Sequence, residues 1–164
     1  GQLVPRKNQH LLIDITRDLD MTLVLSGPPA SDGGEYERHC RELAHEGVVF
    51  TGEIDTKMLK SAYQAARMFA LPSAFELPGM AYMAAAVAGL PITATCRGAT
   101  WEYLGGYPEY CDPDNIVTIF DAIEKCARST QEGDFKKKLL DKFSWGKTAM
   151  LLVKVYQKII DISN

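Results

Sequence analysis

The stretch from Leu71 to Pro91 has the sequence Leu-Pro-Ser-Ala-Phe-Glu-Leu-Pro-Gly-Met-Ala-Tyr-Met-Ala-Ala-Ala-Val-Ala-Gly-Leu-Pro. It predicts the buried end of a strand, a Pro/Gly turn that carries one carboxylate (Glu76), and a helix of small residues that leads into the next strand. A strand that ends just before a helix N-terminus leaves free backbone amides pointing at one place, and such a place attracts phosphate. A carboxylate beside it suggests a phosphorylated ligand with a polar group to be held by Glu76.

Short apolar runs alternate with amphipathic stretches on both sides of this segment. Predicted strands cover residues 21–25, 48–50, 68–71 and 91–95, and predicted helices cover 8–19, 34–45, 55–67 with Asp55 as N-cap, 79–88, 101–104, 115–129, 135–143 and a last helix capped by Ser144. This alternation is typical of βαβ units. We therefore expect an α/β fold in a single domain over residues 1–164: a three-layer α/β/α sandwich on a parallel, Rossmann-like sheet of about six strands.

Composition limits the possible classes of protein. The 164 residues have a formal net charge of −3 and 46% apolar residues, without an apolar run long enough to cross a membrane. The charge offers no support for a nucleic-acid partner, and the basic run at 136–138 is only a weak indication of a membrane surface. Four widely spaced cysteines favour reduced thiols and therefore a protein of the cytoplasm. A location at the cytoplasmic face of a membrane stays an open alternative.

The unusual turn sequences all follow predicted strands. They are Ser26-Gly27-Pro28, Thr51-Gly52-Glu53, residues 72–79 and Cys96-Arg97-Gly98. Ligands of parallel α/β proteins bind outside the carboxyl ends of the strands. We therefore expect these turns to gather at one edge of the sheet, called the rim below.

These motifs, in this order, resemble the C-terminal, donor-binding domain of glycosyltransferase family 4 (glycosyl transferase group 1), whose members are retaining enzymes of the GT-B fold. The matching pieces are Gly1-x-Leu3 with Lys7-Asn8, Gly27-Pro28 with Tyr36, Val49-Phe-Thr-Gly52-x-Ile54, Pro72-Ser73-x-x-Glu76-x-x-Gly79, Ala88-Gly-Leu-Pro91, Gly98-x-x-x-Glu102, and Phe143-Ser-Trp145 with Ala149 and Tyr156. The resemblance covers nearly the whole chain. It implies a nucleotide-sugar donor at the rim and a glycan or glycoconjugate acceptor held by a separate N-terminal domain that these residues do not include.

The resemblance also implies roles for individual residues. Lys7 would stabilise the diphosphate as it leaves, and Glu76 would hold the donor sugar, so these two are the expected catalytic residues. The other residues expected to bind the donor are Thr51, Gly52, Glu53, Ile54, Leu77, Pro78, Gly79 and Met80. No metal or other cofactor is expected, because Asp18, Asp20, Asp112 and Asp114 fit helix ends and turns better than a cation site.

Two positions depart from the family pattern. Gln2 stands where the family usually has an arginine, and Ala84 stands where it has the second glutamate of a pair. A non-catalytic binding or scaffold module with a degenerate donor site therefore stays an alternative, and a sugar-nucleotide epimerase of the same fold is a third possibility. Glu76 and Lys7 also have purely structural interpretations, Glu76 as a helix-start carboxylate and Lys7 as a solvated surface residue.

Two helices have apolar faces that the pattern assigns to the core. Met80, Met83 and Ala84–Ala86 are expected to form one tightly packed, buried helix face. The apolar stripe of the last helix, from Trp145 to Ile160, is expected first as core and second as a surface between domains.

Overall fold

The computed structural model describes residues 1–28, 34–129 and 135–163. Within these ranges the chain forms a single-turn 3-10 helix (Pro5–Lys7), eight α-helices and five strands. In chain order they are α1 (Gln9–Asp18), β1 (Leu23–Ser26), α2 (Glu35–Leu43), β2 (Val48–Gly52), α3 (Thr56–Ala65), β3 (Phe69–Leu71), α4 (Met80–Ala88), β4 (Ile92–Thr95), α5 (Thr100–Leu104), β5 (Glu109–Cys111), α6 (Ile116–Arg128), α7 (Phe135–Phe143) and α8 (Trp145–Ser163).

The strands form two parallel pieces of sheet. β1 pairs with β2, and β3, β4 and β5 pair in that order, with every pair parallel. The expected α/β class and the parallel arrangement are confirmed. The described residues nevertheless provide five strands in two pieces, where the sequence predicted about six in one sheet. A groove of about 590 Å³ lies between β1 and β3, and we call it the inter-sheet groove.

Helices cover both faces of the strands. On one face Tyr82, Ala85 and Ala86 of α4 pack with Ile92 of β4 and with α5 and α7. On the other face α1 and α6 pack around Cys111, and α1 and α2 pack against Leu25 of β1. Layers on both sides explain why β4 is buried at every position.

The buried face of α4 differs from the expectation. Tyr82, Ala85 and Ala86 are the buried residues, while Met80 is 60% exposed and Ala84 is also exposed. The prediction that Met80 and Ala84 lie in the core was therefore wrong. The buried phenol of Tyr82 determines which side of the helix faces the sheet.

The last helix also differs from the expectation. Every residue of α8 from Trp145 to Ile162 is exposed, and Trp145 reaches 83%. The apolar stripe is therefore not core in this structure, because α8 packs against α7 and extends away from the strands. Within the described ranges, no helix combines the length and apolar character that crossing a membrane requires.

Candidate functional site

Residues 1–8 run across the rim and contact both pieces of sheet. On the β1 side, the Gly1 nitrogen donates to Ser26 O, and Leu3 N donates to Pro28 O at 3.2 Å. On the β3 side, Asn8 Nδ2 donates to Pro72 O at 3.0 Å and to Pro113 O at 3.1 Å. The 3-10 turn between these contacts carries two adjacent basic residues, Arg6 and Lys7.

The turn after β3 holds Glu76 in one position. Ser73 Oγ donates to Glu76 Oε1 at 2.8 Å, and the glutamate side chain is only 12% exposed. Its backbone is also fixed, because Ala99 N donates to Glu76 O at 3.1 Å and Gly98 pairs with Glu76 as an isolated bridge. Gly98 has φ +87°, and a Cβ there would overlap Glu76 O. The two turns that follow β3 and β4 are thus in direct backbone contact.

Two cations lie near this carboxylate. Arg6 Nη1 is 3.4 Å from Glu76 Oε1, with the arginine side chain 57% exposed. Lys7 is half-buried, and burial lowers its pKa, while the charge of Glu76 acts in the opposite direction and Arg6 adds to the lowering. Lys7 Nζ lies beside Gly1, at 2.6 Å from the position that a Gly1 Cβ would take.

Sequence reasoning did not include Arg6 among the site residues. The contact between Arg6 and Glu76 joins residues 70 positions apart, so local pattern did not reveal it. One signal was present, because Pro5 directly before two basic residues predicts a tight turn that fixes both at one place.

The N-terminus of α4 opens beside Glu76. Its N-cap, Gly79, is buried with φ +67° and gives no side-chain cap. The amides of Gly79, Met80 and Ala81 donate no hydrogen bond within the described parts of the chain. A Cβ at Gly79 would lie 2.6 Å from the Tyr82 ring. These amides form a partial positive charge that attracts an anion.

The remaining predicted residues lie on two parts of the rim. Leu77 (63% exposed), Pro78 and Met80 are exposed at the start of α4. Residues 51–54 follow β2, and their observed contact is with the end of β1, where Gly27 N donates to Gly52 O at 2.9 Å. The structure thus brings Lys7, Glu76 and Gly79 together, and it leaves residues 51–54 at the β1–β2 part of the same rim.

Two of the four candidate cation ligands, Asp112 and Asp114, form ion pairs with an arginine. Arg97 Nη2 lies 2.8 Å from Asp112 Oδ1 and 2.6 Å from Asp114 Oδ2. Across residues 1–28, 34–129 and 135–163 there is no cluster of three or more His, Cys, Asp or Glu side chains able to hold a metal ion.

The chain was compared with known proteins. A family model described as "Glycosyl transferases group 1" matches residues 1–129. An uncharacterized glycosyltransferase of Methanocaldococcus jannaschii is 29% identical, with 96% of this chain and 43% of the relative covered. A D-inositol 3-phosphate glycosyltransferase of Corynebacterium urealyticum is 25% identical, with 97% and 42% covered.

Solved structures share the fold. HepE of Anabaena in complex with UDP and glucose superposes with a TM-score of 0.85 at 18% identity, over 96% of this chain and 47% of HepE. The chain thus spans less than half the length of these relatives. The match of the family model over most of the chain shows that this protein belongs to the glycosyl transferases group 1 family.

Proposed function

We propose that this chain is the nucleotide-sugar donor-binding domain of a retaining glycosyltransferase that transfers a sugar to a glycan or glycoconjugate. The main observation in support is that Lys7, Glu76 and the free amides at the N-terminus of α4 lie in the same part of the rim. The complex of HepE with UDP and glucose supports the proposal by similarity of fold. The acceptor would be held by an additional domain of the full-length protein.

The proposed division of work follows from the charges. A diphosphate leaving group gains negative charge as the glycosidic bond breaks, and an ammonium group together with preorganised amides stabilises it. Lys7 supplies the ammonium, and Gly79, Met80 and Ala81 supply the amides. Binding a diphosphate would raise the burial-lowered pKa of Lys7 and keep the side chain protonated.

Glu76 would hold the sugar. Its Oε1 accepts from Ser73 Oγ and lies near Arg6, while Oε2 accepts no hydrogen bond within the described residues. Oε2 is therefore available to accept from the sugar hydroxyls. Leu77, Pro78 and Met80 would flank the donor, and residues 51–54 would contact the base. Under this proposal no metal or other cofactor takes part, because lysine and backbone amides supply the positive charge. The free state of all four cysteines supports a cytoplasmic location.

The two departures from the family pattern acquire a physical interpretation. Arg6, close to Glu76, would provide a second cation in place of the one missing at Gln2. Ala84 is exposed one helical turn after Met80, so a glutamate there would not disturb the core. The same two substitutions favour the second candidate, a non-catalytic module with a degenerate donor site.

Calorimetric titration with UDP, GDP and ADP tests the donor site. We expect one of them to bind, and Lys7→Ala to weaken it by about ten- to a hundredfold, since a hydrogen bond to a charged group contributes roughly 1.5–3 kcal/mol. Lys57→Ala is the matched control, because Lys57 is an exposed lysine on α3. Absence of binding at millimolar ligand to a folded chain would contradict the proposal.

The double variant Gln2→Arg/Ala84→Glu separates the two candidates. If the native site already holds the donor through Arg6 and Lys7, the variant changes affinity by about tenfold or less. Weak native binding that rises about a hundredfold or more in the double variant would instead identify a decayed site and favour the non-catalytic module.

A further inference from the structure

A second concavity lies between α5, the turn that follows it, and α7. We call it the α5–α7 pocket, and its volume of about 460 Å³ is that of a small-molecule site. Its base is apolar, because the lining residues Leu104 and Leu139 are only 2% and 3% exposed. Lys7, Glu76 and Gly79 are not among the residues that line it. The pocket therefore does not overlap the candidate donor site.

Aromatic side chains form the walls of the α5–α7 pocket. Tyr103 packs against Phe143 with 5.1 Å between the ring centroids, and Tyr107 stacks on Phe135 at 4.0 Å. Each pair joins the α5 side of the pocket to the α7 side, so the walls hold each other in place. Trp101, which is 64% exposed, lines the same pocket. The C–H groups of a sugar ring carry a partial positive charge and pack favourably on electron-rich aromatic faces.

The α7 side of the pocket carries two lysines. Lys138 and Lys142 are four residues apart, so they lie one turn apart on the same side of the helix. Neither forms an ion pair within the described residues, and Lys142 Nζ lies 5.0 Å from the centroid of the Phe143 ring. From the α5 side, the exposed Gly106 contributes an amide that has no acceptor in the described part of the chain. Two ammonium groups and a free amide favour an anionic group such as a phosphate.

The remaining polar groups of the pocket suit hydroxyls. The carboxylate of Glu102 and the hydroxyl of Tyr103 line the pocket, and neither forms a hydrogen bond with another described residue. A carboxylate accepts hydrogen bonds from hydroxyls and repels a phosphate. A ligand that carries both groups would therefore place its phosphate at Lys138 and Lys142 and its hydroxyls at Glu102.

We propose that the α5–α7 pocket binds a phosphorylated monosaccharide, with the sugar ring against the aromatic walls and the phosphate at Lys138 and Lys142. This ligand binds in addition to the nucleotide sugar, because the two places share no residue. Helix α5 connects them, since its N-cap Ala99 donates its amide to Glu76 O. The proposal does not depend on the nucleotide-sugar function.

Titration of the isotope-labelled chain, followed by nuclear magnetic resonance, tests the proposal. The probe is glucose 6-phosphate, and glucose and inorganic phosphate are titrated separately as its two parts. The amide signal of Gly106 reports on the α5–α7 pocket, and the amide signal of Gly79 reports on the donor part of the rim. The two signals distinguish binding in the pocket from binding of the same probe at the donor site.

Two double variants test the lysines. Lys138→Ala/Lys142→Ala removes both lysines of the pocket. Lys136→Ala/Lys137→Ala is the matched control, because it removes two exposed lysines of the same helix that do not line the pocket. Both variants lose the same charge, so a difference between them reports the position of the lysines and not the net charge.

We expect the probe to shift the Gly106 signal in a saturable manner, and the pocket variant to weaken this binding by about tenfold or more. The control variant should weaken it by less than about threefold, and glucose or phosphate alone should bind at least about tenfold more weakly than the probe. Absence of a Gly106 shift at about 50 mM probe would overturn the proposal. Equal weakening in both double variants, or phosphate alone binding as tightly as the probe, would also overturn it, because either result would identify an adventitious ion only.

Discussion

Replacing Gly98 with alanine tests whether the contact between the two rim turns fixes Glu76. The added Cβ would overlap Glu76 O and lie 3.1 Å from Glu76 C and N. These atoms are backbone, so no side-chain rotation can relieve the overlap. Gly98 also has φ +87°, where an L-residue costs about 1–2 kcal/mol. Overpacking adds about 1–3 kcal/mol, so we expect the free energy of unfolding to fall by about 2–5 kcal/mol.

Gly89→Ala is the matched control for this prediction. Gly89 has nearly the same φ, +83°, but no atom lies within 4 Å of its added Cβ. The free energy of unfolding of this variant should therefore fall only by the cost of the positive φ, about 1–2 kcal/mol. Urea denaturation followed by circular dichroism measures both variants. Equal losses would refute the reasoning, because they would mean that the turn at Glu76 moves aside without cost.

Three further predictions concern single side chains. Tyr82→Phe should lower the free energy of unfolding by about 1–3 kcal/mol in the same urea assay, because the buried hydroxyl forms hydrogen bonds with the ends of two strands. A loss below about 0.5 kcal/mol would contradict this. Because burial lowers the pKa of Lys7 from 10.5, nucleoside diphosphate affinity should fall as pH rises through that lowered value, and Lys7→Met should abolish this dependence in calorimetry. Because the pKa of Lys7 is lower in the folded than in the unfolded state, the unfolded state binds more protons at pH values between the two. The contribution of Lys7 to the free energy of unfolding therefore rises with pH in that interval. Maleimide at pH about 8 should label the exposed Cys96 but not Cys111, because burial raises the pKa of the Cys111 thiol to about 12. Intact mass spectrometry that shows several adducts on the folded chain would contradict this.

Local signals predicted most helices well. Asp55 was expected as an N-cap, and its carboxylate accepts from Met58 N at 2.7 Å. The helix Phe135–Phe143 has the bounds expected from its pattern. Such features depend on residues within one or two turns, so the sequence contains the information that determines them.

Packing between distant elements was predicted less well. Met80 and Ala84 are apolar, and a helix made almost only of small apolar residues has no polar face to show which side is buried. The three-residue β5 was not predicted because so short a run has no clear period. The division of the sheet into two pieces was also not predicted, because it depends on which strand edges form hydrogen bonds with a neighbouring strand.

The part of the candidate site that lies in a single turn was predicted from the sequence. The stretch at residues 71–91 predicted Glu76 and the free amides of α4, and the structure has both within that turn. Lys7 followed from the family resemblance; the structure places it where the charge of Glu76 acts on it, and the catalytic roles of both residues stay predictions. The proximity of Arg6 to Glu76 required the fold, and the roles assigned to residues 51–54 stay predictions.

Two kinds of contact hold this site, and they differ in strength. The ion pair between Arg6 and Glu76 is long and its arginine is half in solvent, so it contributes about 0–1 kcal/mol. The backbone bond from Ala99 and the hydroxyl of Ser73 are better placed to fix Glu76. Lys7, by contrast, is held by the segment that bridges both pieces of sheet. The carboxylate therefore belongs to a rigid turn, and the position of the cation depends on how β1 and β3 are arranged across the inter-sheet groove.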